Sequence, residues 1–293
     1  MIKLIIILIK RLIRIILTPI AYILFILIWQ PKRIMLWSWK LKNGYLNVWK
    51  TLLVNFSSFP LNIARRLPIY IYENVNFLNT GTIKITAEKI HPGMIKINAL
   101  NWRSKSKTKI ENHGTITFKG NCRFFGGVNL TVLRSGNISL GNECTISENV
   151  IIFSENSINI GNKTAIAFNS VITDTNSHFT VSTETGIVYS PLKTVEIGNF
   201  NWIGNNCSIK PGTKTPDHTI VASSYSVLTK DYTSTIKSYS IIGGCPAKLI
   251  KENTARVWDV DQEQILYNKL KKKEPLNINI EQLYDITNSM KGY

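Results

Sequence analysis

"VEIGNFNWIGNNCSIKPGTKTPDHTIVASSYSV" occupies residues 195–227, and its period decides the fold. Ile197, Ile203, Ile209, Thr215, Val221 and Val227 return at every sixth position. A helix buries a residue every 3.6 positions and a half-buried strand every second one, so a strict six fits neither element alone. It fits short strands repeated at fixed intervals, each laying one flat face of a triangular coil. The aliphatic residue points inward and stacks on its copy one coil away. Gly198, Gly204 and Ala222 follow ladder residues, and Asn and Gly populate the corners, where the backbone must turn sharply. Upstream, Leu140, Ile146 and Ile152 step by six, as do Ile160, Ile166 and Ile172. A coil cannot bury its faces alone, so several must stack.

Two features depart from this regularity. Against the pattern of the repeat family that this ladder resembles, Thr215-Pro216-Asp217-His218 and Ser223-Ser224-Tyr225 replace the usual glycine-rich turns, and one residue is inserted before Thr229, which implies a distorted coil there. The ladder is also interrupted, between Ile172 and Ile197, by "TDTNSHFTVSTETGIVYSPLKTVE". A solenoid can extrude a loop without disturbing its stack, and such loops carry function. This one holds His178, and an imidazole is a side chain suited to proton transfer. His91, His113 and His218 stand at turns and read as surface turn residues; His218 is the strongest rival to His178.

The chain has 293 residues and a formal net charge of +17. The charge is unevenly placed. No Asp or Glu precedes Glu73, while Lys3, Lys10, Arg11, Arg14, Lys32, Arg33, Lys40, Lys42, Lys50, Arg65 and Arg66 lie before it. Such a one-sign field favours an anionic partner. The opening "MIKLIIILIKRLIRIILTPIAYILFILIWQPKR" supplies the reason. Lys3, Lys10 and Arg14 recur along one helical face, and Pro19 breaks the pattern. The uncharged run from Ile15 to Trp29 reaches roughly 22 Å as a helix, short of a hydrocarbon core of about 30 Å. Both flanks are basic, which the positive-inside tendency places on the cytoplasmic side. A monotopic anchor fits better than a span, and Gln30-Pro31-Lys32 does not resemble a signal-cleavage site. A membrane surface is therefore the expected partner of residues 1–36, with no nucleic acid. Cys122, Cys144, Cys207 and Cys245 are far apart and form no CxxC pair, which reads as reduced core thiols without a metal site.

The expected organisation is an anchor over 1–36, a linker with helical character over 37–81, an all-β solenoid over 82–252 and a helical tail over 253–293. Within the solenoid, Trp202-Ile203-Gly204, Pro211-Gly212, Thr229-Lys230-Asp231 and the closing Gly244-Cys245-Pro246-Ala247-Lys248 together resemble the hexapeptide-repeat acyltransferases, strongly over residues 138–252. The upstream "NFSSFPLNIARRLPIYIYENVNF" resembles leaders of members that modify surface polysaccharides. The resemblance implies a left-handed parallel β-helix, a homotrimer, acetyl-CoA as acyl donor and no metal. It implies O-acetylation of a sugar hydroxyl in a surface polysaccharide or its lipid-linked precursor, at the cytoplasmic face of the membrane. It assigns the general base to His178. Asp174, four residues upstream, fits either an orienting partner for that ring or a solvated loop carboxylate. Family positions for the cofactor fall on Asn205, Ser223, Thr229, Lys230, Lys248 and Lys251, and an acceptor-side position falls on Asn149. Two alternatives stay open: N-acetylation of a nucleotide-linked amino sugar, whose soluble substrate leaves the N-terminus without a purpose, and a non-catalytic membrane scaffold.

Overall fold

A computed structural model describes residues 46–99 and 106–278. The stretch read as a membrane anchor lies outside the described residues. Among those described, no helix is long and apolar enough to cross a membrane.

Three parallel sheets wind around one core. Face I takes its strands in the order Ile69–Ile71, Ile95–Ile97, Cys122–Phe124, Cys144–Ile146, Ala165–Ile166, Trp202–Ile203, Ile220–Val221 and Ile241–Gly243, closed by Lys248–Lys251. Face II runs from Val75–Asn79 to Val227–Leu228 in seven strands, and face III from Thr82–Ile85 to Lys214–Thr215 in six. The chain visits I, II and III in turn, so each coil adds one strand to every face. The ladder is visible in the register. Ile166 lies beside Ile203, Ile203 beside Val221 and Val221 beside Ile242. Each of these side chains is buried. Fully burying one such aliphatic chain is worth about 1.5–3 kcal/mol, and the column repeats that gain on all three faces.

The stack begins at Ile69, upstream of the boundary expected at residue 82. Its early faces are wider than one hexad. Ile138 and Leu140 both point inward from Asn137–Leu140, as do Ile116 and Phe118 from Thr115–Phe118. Strands shorten toward the C-terminal end, where Lys214–Thr215 and Ile220–Val221 carry one inward residue each. Six-residue spacing therefore runs longest in the late coils, from Ile197 to Val221.

One ladder position differs from the sequence expectation. Leu228, not Val227, is the buried residue, and it pairs with Ile209. The inserted residue is taken up in the preceding corner, where Ser224 and Tyr225 both have φ of +70°.

Both ends of the stack are covered. Helix α1 (Val48–Ser58) is capped by the Asn47 side chain, which accepts from Lys50 N at 2.9 Å. Its inner face closes the open edge of face I. Ile71 N donates to Thr51 Oγ1 at 3.0 Å, and Asn55 both accepts from Ile69 N and donates to Ile69 O. These bonds satisfy groups that an exposed parallel edge would leave open. The short helix α2 (Leu61–Ala64) follows. At the other end the strand Lys248–Lys251 turns back antiparallel on Ile241–Gly243. Beyond it, helix α3 (Val260–Lys271) starts at the Asp259 cap, with Asp261 and Glu263 in its first turn and Lys269 and Lys271 in its last, as the helix dipole favours.

Candidate functional site

The three corners of the coil differ in chemistry. At the corner from face I to face II, the left-handed positions are Asn74, Asn98, Gly127, Asn149, Asn169 and Asn206. Asn tolerates positive φ through its short polar side chain. Asn149 belongs to this column: its φ is +57° and its N–H donates to Gly126 O at 3.0 Å. The backbone alone accounts for Asn at that position. Asn205 and Ser223 share the same edge in successive coils. Ser224 N donates to Asn205 O at 3.0 Å, and a Cβ on Gly204 would stand 2.6 Å from Ser223 N. The glycine of the Trp-Ile-Gly triplet is thus required by coil-to-coil approach. The closing segment docks here too: Gly244 N donates to Ser226 Oγ, Val227 N donates to Gly244 O at 2.9 Å, and Ala247 N donates to Val227 O at 2.9 Å. That places the strand bearing exposed Lys248 and Lys251 beside the Asn205–Ser223 edge.

The corner from face II to face III carries the extruded loop. Its base is stitched shut. Thr175 bridges Leu192, Asn176 N donates to Pro191 O at 3.0 Å, and Lys193 N donates to Asp174 O at 3.0 Å. Beyond the base, Thr180–Val181 and Val188–Tyr189 pair as a hairpin. Ser177 turns the chain with φ +63°, and His178 follows it, exposed. Among the described residues, no hydrogen bond or ion pair restrains the His178 ring. Two coils on, the same corner carries exposed Thr229 and Lys230. Lys230, Lys248 and Lys251 form no ion pair among the described residues, and the Lys230 ammonium lies 5.5 Å from the Tyr232 ring centre.

Asp174 is neither the orienter of His178 nor a solvated carboxylate. It is fully buried, and both oxygens are spent on the adjacent coil. Ser154 Oγ donates to Oδ2 at 2.7 Å, Asn156 N donates to Oδ2 at 3.0 Å and Glu155 N donates to Oδ1 at 2.8 Å. The carboxylate closes the turn where the loop leaves the solenoid. His178 and Asn205 accordingly lie at opposite edges of face II. A single chain joins the loop to Thr229 and Lys230, and separately joins Asn205 and Ser223 to the closing segment.

The third corner holds what sequence reasoning missed. Gly93 is left-handed at its first turn, and the later left-handed residues are Glu143, Lys163, Phe200, His218 and Tyr239, none of them glycine or asparagine. These later residues stack instead. Lys163 pairs with Glu143 at 3.6 Å and sits 5.9 Å from the Phe200 ring centre. His218 is sandwiched between Phe200 and Tyr239, at 4.6 and 4.3 Å between ring centres. Burial in this sandwich pulls the His218 pKa below its ordinary value, against the opposing pull of Asp217. A signal was present: one non-glycine residue per coil at the same offset. Beside the column, Arg256 lies over both Trp202 and Trp258, at 5.3 and 4.2 Å, and with α3 it roofs a groove of about 730 Å³ against face I.

Of the cysteines, Cys122, Cys144 and Cys207 are buried. Burial pushes the Cys144 thiol up to about 12 and the Cys207 thiol to about 11, so neither is a nucleophile at neutral pH.

No protein-family model matches the chain. A chloramphenicol acetyltransferase of Morganella morganii is 46% identical over 56 residues, which cover 19% of this chain and 24% of that protein. The solved polysialic-acid-specific acetyltransferase NeuO is 18% identical, covers 67% of this chain and 94% of its own, and has a TM-score of 0.44. The polysialic acid O-acetyltransferase OatWY is 22% identical, with 62% and 91% covered and a TM-score of 0.43.

Proposed function

We propose that this chain is an acetyl-CoA-dependent O-acetyltransferase acting on a sugar hydroxyl of a surface polysaccharide or its lipid-linked precursor. The supporting observation is the face II–III corner. There a parallel solenoid extrudes a hairpin that holds an unrestrained imidazole on the edge that also carries Thr229 and Lys230. The 46% identity over 56 residues with an acetyltransferase agrees with this reading. The solenoid is taken as left-handed and trimeric. Assembly then explains why His178 and the Asn205–Lys248 edge are apart in one chain: the site draws them from neighbouring copies.

The cation set fits a cofactor rich in phosphate. Lys230, Lys248 and Lys251 are exposed and, among the described residues, unpaired by carboxylates, and point charges of this kind suit phosphate oxygens. Asn205 and Ser223 offer polar groups along the coil edge for an amide-containing arm. The thioester supplies an already activated carbonyl, so no covalent enzyme intermediate is needed. The work left to the chain is proton transfer. His178 Nε2 or Nδ1 takes the acceptor hydroxyl proton as the oxygen attacks. The charge that develops on the carbonyl oxygen is matched by a backbone N–H at a coil corner. Residues 1–36 hold the enzyme at the cytoplasmic face of the membrane, where lipid-linked precursors are assembled.

The test is release of free CoA from acetyl-CoA in the presence of a polysaccharide acceptor. His178→Ala should lower kcat by about 10²–10⁴-fold, the usual contribution of a positioned base. Equal rates in wild type and variant overturn the assignment.

A further inference from the structure

We infer that the helical cap α1–α2 is itself a bilayer-contacting surface that seats the first coil of the solenoid on anionic lipid. The inference rests on the membrane association proposed above for residues 1–36, and it concerns a different part of the chain.

The inner face of α1 is committed to the fold. Thr51, Leu52, Val54 and Asn55 are buried against the edge strand and the core. The outer side exposes large apolar residues among the polar Lys50, Ser57 and Asn62. Leu53 is 40% exposed, Leu61 is 70% exposed, and Pro60 between them is exposed as well. Trp49, one turn before Leu53, is 54% exposed and extends the stripe. Arg65 and Arg66 follow at once, both exposed and outside any ion pair among the described residues. Apolar side chains rimmed by cations are what an in-plane interfacial element presents to headgroups and acyl boundary.

Charge decides the occupant. The described residues 46–72 carry Lys50, Arg65 and Arg66 and no Asp or Glu, continuing the acid-free run that begins at residue 1. An acidic bilayer fits this field. The exposed apolar residues of α3 form the contrast: Val260, Ile265 and Leu270 share their helix with Asp261 and Glu263. The order of the chain agrees, because the hydrophobic stretch 1–36 precedes α1 in sequence.

The test uses the full chain with Cys245→Ser, which leaves only the buried cysteines. A nitroxide is attached at Leu53→Cys, at Leu61→Cys, or at Ser234→Cys near the far end of the stack. The protein is bound to phosphatidylcholine vesicles containing phosphatidylglycerol. Oxygen, which concentrates in lipid, and a water-soluble nickel chelate then report depth. The expected result is that positions 53 and 61 favour oxygen while position 234 favours nickel. Arg65→Glu with Arg66→Glu should shift positions 53 and 61 toward the nickel-accessible value of the control. Three outcomes overturn the inference. Labels at 53 and 61 as wet as at 234 show a cap held off the membrane. Labels shielded from both reagents show a cap covered by protein, whether a second copy or residues 1–45. An unchanged depth in the double-Glu variant shows that the arginines do not act on lipid. Sedimentation with the same vesicles reads the N-terminal anchor separately, so a chain that sediments with wet labels defeats this inference alone.

Discussion

Two histidines illustrate how little a residue's type says before its surroundings are known. His178 is exposed beyond a stitched loop base, and His218 is packed in a ring sandwich. Their behaviour with pH should differ. The folded-state pKa of His218 lies below its unfolded value, so the unfolded chain binds the proton more readily. Stability is therefore highest above the ordinary histidine range and falls as pH drops through about 6.5, until the folded-state pKa is passed. His218→Phe keeps the stack and removes the titration. Urea midpoints measured from pH 7.5 to 5 should fall less steeply for the variant than for wild type. Asp174 offers a second residue-scale prediction. Asp174→Ala leaves the Glu155 and Asn156 backbone N–H groups without an acceptor and the Ser154 hydroxyl with Asn137 O alone, at a cost of roughly 2–4 kcal/mol in denaturant unfolding. In the conservative Asp174→Asn the acidic limb of kcat/KM should stay where it is. Movement of that limb would show that the carboxylate reaches His178 after all.

At the scale of elements, the hairpin and the solenoid are separable. The loop leaves and returns through Thr175 and Leu192, which bridge each other, and the strands on either side remain in the stack whatever lies between. Replacing residues 177–190 with a short glycine–serine link should leave the β-rich circular dichroism spectrum and the cooperative melt intact while abolishing CoA release. Loss of the melt would mean that the loop carries fold as well as chemistry. Much of this was legible in advance. Ile197, Ile203, Ile209 and Thr215 are spaced by six because the faces after Val195–Ile197 hold one inward residue each, and the loop stands out as the gap in that count. The early coils were not legible, because their faces hold two inward residues and their corners vary in length. The Asn column could be read as turns. The Phe200–His218–Tyr239 column could not, because stacking energy between coils compensates for backbone angles that these residues rarely adopt. Asp174 was misjudged for a related reason: spacing along the chain put it near His178, while its hydrogen bonds run to the neighbouring coil.

For the molecule as a whole, stacking and charge work along the same axis. Each coil buries its faces only against its neighbours, so the first coil needs a cover, and α1 provides it through Thr51 and Asn55. That cover follows the acid-free, hydrophobic N-terminal sequence along the chain, while most of the candidate site residues lie in the later coils. The molecule is thereby polarised, with its proposed membrane end at the first coil and its proposed chemistry toward the last. If the N-terminal sequence serves only to localise, removing it should separate the two ends. A chain lacking residues 1–36 keeps α1 and all three faces. It should lose most of its flotation with phosphatidylcholine–phosphatidylglycerol vesicles, the remainder being sensitive to salt because it is carried by few charges. Its CoA release with a soluble polysaccharide should match the full chain within about twofold, since none of the groups assigned to proton transfer or cofactor binding has been touched. With a lipid-linked acceptor in vesicles the same truncation should slow turnover, because the anchor's contribution is effective concentration at the surface. Undiminished flotation would place membrane binding elsewhere in the chain, and equal slowing on both acceptors would show that the N-terminus shapes the site.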